Sequence, residues 1–196
     1  MTDANPCIYL DHHATTPMDP RVFVKLKPFL LSNFGNAASV THPYGWHAQD
    51  AVDQARVEMA KAINAHPTEI VFTSGATEAI NMAIKGLFLP AATVFGRHIV
   101  TSSVEHNATL AIIDALAPVG VVARVIPPNK DGLIDEDAVI DAIKEDTALV
   151  SLCLVQSDIG SINPIDRIAK RIKQRGVLFH CDAAQAMGRI SVDSQQ

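Results

Sequence analysis

Apolar positions along this chain change period from segment to segment, and each change marks an element. Ile8-Tyr9-Leu10 reads as a short strand, followed by the loop Asp11-His12-His13-Ala14-Thr15-Thr16. Asp19-Pro20 has the form of an N-cap with proline at the first helical position, which predicts a helix to Leu31. A loop of small residues over 32–45 leads to a long helix starting near Tyr44, with Ala48, Ala51, Val52, Ala55, Met59 and Ile63 on one face.

From there the pattern repeats as strand, turn, helix. Residues 69–74 predict a strand feeding a helix over 75–89, and 98–103 a strand leading into a helix that begins near Asn107. A strand over 122–127, a turn at 129–132 and a helix over 134–146 follow. The continuous apolar run 148–155 predicts a strand buried on both faces. A basic amphipathic helix over 166–175 and a strand over 177–184 complete the pattern. Serial strand–helix units of this kind imply an α/β fold, a mostly parallel sheet with helices on both faces. Functional groups in such sheets gather at the carboxyl ends of the strands.

Composition changes this picture by exclusion. Hydrophobic residues make up 48% and charged residues 19%, the balance of a globular α/β chain. A net charge of -5 argues against nucleic-acid and anionic-membrane partners, which favour a basic face. No run reaches the roughly 20 apolar residues of a membrane helix, and Met1 to His13 lacks the form of a signal peptide. Cys7, Cys153 and Cys181 are widely spaced, which suits a reducing cytoplasm and neither a disulfide framework nor a zinc cluster.

The candidate chemistry falls at strand ends. Ser74-Gly75-Ala76-Thr77 stands between a strand and a helix, where free N–H groups and the Thr77 hydroxyl suit a phosphate; a capped turn without ligand fits the same residues. His106 has the chemistry to stack on a flat ring or move protons, and equally to cap a surface helix. Asp182 is costly to bury unless it meets a cation such as a protonated pyridine nitrogen, and it also suits an N-cap for a turn containing Gln185. Cys153 and Cys181 lie inside apolar runs and read as core residues. Asp11-His12-His13 has the look of a metal-binding triplet but lacks the further ligands such a site needs, so no metal is expected.

In order along the chain, YLDHHATTP, FGNAAS with His42 and Gly45, EIVFTSGATEAINMAIKG, Glu105-His106, DGLID and HCDAAQAMG resemble the cysteine desulfurases, class V aminotransferase-like enzymes of the fold-type I, pyridoxal-phosphate (PLP) dependent group. The resemblance implies that Ala76 and Thr77 bind the PLP phosphate, that His106 stacks on the ring as a catalytic residue, that Asp182 pairs with the pyridine nitrogen and that Gln185 bonds the ring hydroxyl. It places Asn36 in a substrate-side loop. Ser157 stands where the family has a cofactor-contacting asparagine, within Gln156-Ser157-Asp158-Ile159-Gly160 instead of Asn-Asn-Glu-Ile-Gly, and Ala37 replaces a common proline.

The same resemblance implies a partial PLP-binding large domain over 21–196 behind an N-terminal segment over 1–20. In the implied sheet two later strands separate the first strand from the others. The other four lie side by side in the order fifth, fourth, second, third. No lysine follows Lys173, so the family's Schiff-base lysine, its persulfide-forming cysteine and its small domain are expected beyond these residues. The expectation is thus a truncated cysteine desulfurase, inactive alone and holding PLP non-covalently at best. The family's partners are a second copy and sulfur-accepting or iron–sulfur scaffold proteins. A non-catalytic interaction or dimerisation module, or another class V enzyme such as a selenocysteine lyase, are the alternatives.

Overall fold

The computed structural model describes residues 7–89 and 96–195. Residues 1–6, the opening of the expected N-terminal segment, lie outside the described residues. The chain forms two compact units, one ending at Ile70 and one beginning at Val71.

In the first unit, α1 (Pro20–Leu31) starts where Asp19 caps it, the carboxylate accepting from Arg21 N at 2.8 Å. α1 buries none of its residues. α2 (Pro43–Ala62) is capped by His42, whose Nδ1 accepts from Gly45 N at 3.3 Å. Gly45 is buried in that turn, and a Cβ there would stand 1.8 Å from the Ser39 carbonyl oxygen, so only glycine fits. The apolar stripe expected to bury α2 does not do so: the helix buries Gly45 and Ala60, while Met59 of the stripe is exposed. The strand expected at Ile8-Tyr9-Leu10 is not formed either, and all three side chains are exposed.

The second unit is built on a parallel sheet of β1 (His98–Ser102), β2 (Val122–Ile126), β3 (Thr147–Cys153) and β4 (Leu178–Asp182), in the order β2-β1-β3-β4. This is the order expected for the second to fifth strands. The helices are α3 (Ala76–Phe88), α4 (Asn107–Leu116), α5 (Glu136–Asp141) and α6 (Ile165–Gln174).

Strand alternation sends neighbouring residues to opposite faces, and the two cores divide accordingly. Ile99 and Leu149 pack with Ile80, Ile84 and Phe88 of α3 and Ile112, Ile113 and Leu116 of α4. Val100, Val150 and Leu152 pack with Val139 and Ile140 of α5 and Ile165, Ile168 and Ile172 of α6. β3 is buried throughout, as its unbroken apolar run requires.

Two expected elements are corrected. The helix over 134–146 is limited to α5, because the chain turns after Asp141, with Thr147 N bonding Lys144 O at 3.1 Å, to enter β3. The strand over 69–74 is absent. Pro67–Glu69 forms a 3-10 turn closed by His66 N donating to the Glu69 carboxylate at 2.7 Å, and residues 71–73 pair with no strand among the described residues. A strand exists only through its ladder, and the resemblance puts the partner of this one among later strands.

Candidate functional site

At the carboxyl ends of β1, β3 and β4 lies a cavity of about 370 Å3. Its lining brings together Ala76, Thr77, His106, Ser157, Asp182 and Gln185, with Ser74, Gly75, Cys153 and Gln156 among its other walls. Asn36 belongs to the first unit, where its Oδ1 accepts from Ala38 N at 2.9 Å.

The α3 end is open to a ligand. Its cap, Gly75, offers no side-chain cap, and the first bond back to the cap is Ala79 N to Gly75 O at 3.1 Å. The N–H groups of Ala76, Thr77 and Glu78 therefore have no acceptor within the helix, and they stand at its positive end. Ser74 N donates to the Glu78 carboxylate at 2.6 Å, which braces the turn, and bonds from Ser74 hold that carboxyl below its usual range.

His106 opens the other helix, capping α4 with Nδ1 accepting from Ala108 N at 3.1 Å while its exposed ring lines the cavity. Capping and facing the cavity are thus joined in one side chain. Asp182 ends β4 in register with Cys153, and its Oδ1 accepts from Ala184 N at 3.0 Å. Gln185 follows in the next turn, its Oε1 receiving Arg189 Nη1 at 2.5 Å. Ser157 sits in a loop shaped by Gln156, whose Oε1 accepts from the N–H groups of Asp158 and Ile159 at 2.6 and 2.8 Å.

The sequence assigned no chemistry to Glu105, yet it is 6% exposed, with Oε1 2.5 Å from Ser102 Oγ. Burial pushes its carboxyl up to about 7. Its sequence signal was only its place beside His106, since nothing in a single turn reveals burial. Cys153 is buried and Cys181 half-buried, and burial pushes both thiols up to about 12, so neither is a thiolate nucleophile at neutral pH. Asp11 and His13 form an exposed pair, Nδ1 to Oδ1 3.1 Å, and no group of three or more metal-ligating side chains occurs among the described residues.

A helix end with free N–H groups, an imidazole, a carboxylate and an amide around one cavity form a donor set whose chemistry fits a flat, phosphate-bearing cofactor such as PLP. A parallel α/β sheet with this set at its strand ends defines a class of PLP-fold protein. The chain belongs to the aminotransferase class-V family, whose model matches residues 8–196. It is 46% identical over 196 residues to the cysteine desulfurase IscS of Methylobacillus flagellatus, covering 100% of this chain and 48% of that one. A NifS-like protein of known structure superposes with a TM-score of 0.91 at 31% identity, covering 96% of this chain and 52% of the other. SspA in complex with cysteine gives a TM-score of 0.91 at 34% identity, covering 95% and 53%. The chain spans about half the length of the curated relatives it matches. No helix among the described residues is long and apolar enough to cross a membrane.

Proposed function

We propose that these residues supply the cofactor-gripping half of a cysteine desulfurase, which converts L-cysteine to L-alanine and passes the sulfur on as a persulfide for iron–sulfur cluster or thio-cofactor assembly. The observation that carries this reading is the convergence of Ala76, Thr77, His106, Ser157, Asp182 and Gln185 on one cavity. Bound PLP supplies an electron sink for the α-carbon of an amino acid. The N–H groups of Ala76 and Thr77 would hold its phosphate, His106 would cover the ring face, Asp182 would keep the ring nitrogen protonated and Gln185 would meet the ring hydroxyl. Ser157 would donate a hydrogen bond with a shorter reach than the family's asparagine.

In this reading residues 21–196 are part of one large domain behind a segment over 1–20. The protein works in the cytoplasm as a homodimer that hands sulfur to an acceptor or scaffold protein. The 196 residues alone have neither the anchoring lysine after Asp182 nor a thiolate at the cavity, so they bind PLP non-covalently and do not turn over cysteine.

Equilibrium dialysis of PLP against the purified chain tests the grip. Measurable binding is expected, and Asp182→Asn should weaken it about tenfold or more, the loss of one charge-assisted contact. Equal affinity in both proteins would remove Asp182 from the site. Alanine release from cysteine above a PLP-only blank would overturn the inactivity.

A further inference from the structure

Glu105 has no part in the reading above, yet it stands directly behind the cavity. It lies in the turn between β1 and α4, with Oε1 2.5 Å from Ser102 Oγ at the end of β1. Its Oε2 is buried with no hydrogen-bond partner among the described residues. The turn that carries it meets the end of β3, where Cys153 Sγ lies 3.9 Å from Val104 O, and Cys153 and the Glu105 carboxyl act on one another. Cys153 in turn lines the cavity and pairs in register with Asp182 of β4. One buried side chain therefore bears on the ends of two strands that form the cavity wall.

We propose that Glu105 is a positioning residue of this pocket: its side chain ties the carboxyl ends of β1 and β3 together from behind and sets where the Cys153–Asp182 wall stands. The proposal rests on the PLP reading only for the identity of the ligand. The form that suits the place is the neutral acid, since a charge there would be buried with one oxygen unpaired. Burial raises its pKa to about 7, against the opposing influence of Ser102 and Cys153, and the Asp182 carboxylate adds to the rise. The titratable groups facing it are the Cys153 thiol from β3 and Asp182 and Cys181 from β4. His106, next in the chain, turns its Nδ1 to Ala108 N instead.

A carboxyl with a folded pKa above its free value of 4.5 binds its proton more tightly in the native state. Its contribution to stability is complete below pH 4.5 and lost as pH rises through about 7. Thermal unfolding of the whole chain between pH 5 and 8 should therefore show wild type losing on the order of 5 °C more than Glu105→Gln, which keeps the shape and cannot ionise. Iodoacetamide labelling followed by peptide mass spectrometry reads the wall itself. Cys153 should react about tenfold faster in Glu105→Ala and at the wild-type rate in Glu105→Gln. PLP affinity by dialysis should fall about tenfold in Glu105→Ala and be restored by Glu105→Gln.

Identical pH slopes in wild type and Glu105→Gln, or a Glu105→Gln protein as open at Cys153 as Glu105→Ala, would overturn the proposal. Should Glu105→Ala not fold, the comparison of wild type with Glu105→Gln still decides. Failure of wild type to bind PLP would sink the cofactor reading, while the pH slope and Cys153 labelling would continue to judge Glu105.

Discussion

His180 and Glu105 show how burial at one sheet shifts two ionisable groups toward their neutral forms. Ser151 Oγ lies 2.8 Å from His180 Nδ1 across β3 and β4, and burial lowers the imidazole below its usual 6.5 against the pull of Asp182. A depressed folded pKa means that the unfolded chain takes up the proton first. The His180 contribution is complete above pH 6.5 and is lost as pH falls through its lower folded value. Compared with His180→Asn, wild type should therefore lose more stability as pH falls below 6.5. An unchanged acid limb in chemical denaturation would show that His180 is not buried as a neutral ring. The sequence made Asp182, His106 and the Ser74–Thr77 turn legible because strand ends and helix starts can be read from pattern. It left Glu105 and His180 mute, because their burial is set by strands far away in the chain.

At the scale of elements, the order β2-β1-β3-β4 was legible through the resemblance, and the helices through their caps and periods. The failures share one cause. Residues 69–74 have the composition of a strand, but a ladder needs a second strand, and none pairs with them among the described residues. The α2 stripe has the period of a buried face, yet period reports what a helix is able to bury and not what it meets. α6 is the opposite case, for its Ile165, Ile168 and Ile172 are buried against the sheet while Arg171 reaches Glu136 at 2.9 Å and Asp137 at 2.7 Å on α5. Ile168 has no exposed surface, so Ile168→Ala should cost about 2–5 kcal/mol in denaturant unfolding. Arg171→Ala, which removes surface ion pairs, should cost about 1 kcal/mol or less. Reversal of that ranking would mean that ion pairing and not apolar packing holds α6.

At the scale of the whole molecule, stability is unevenly shared between the two units. The second unit owns both buried clusters, ten residues in each, distributed over the two faces of its sheet. The first unit has no comparable cluster among the described residues: α1 buries nothing and α2 buries a glycine and an alanine. Local opening free energy follows buried apolar contact, so amides in the two units should differ widely in protection. In hydrogen exchange on the intact chain, β1 and β3 should be the slowest segments, their amides lying in ladders covered on both faces. α1 should exchange orders of magnitude faster, near the rate of an unprotected helix. Thermal unfolding followed at Trp46, in α2, should accordingly precede unfolding followed by the far-ultraviolet signal of the sheet. Coincident transitions, or protection in α1 equal to that in β3, would show that something covers the exposed Phe23, Phe29 and Leu30 side chains in solution and couples the first unit to a larger core.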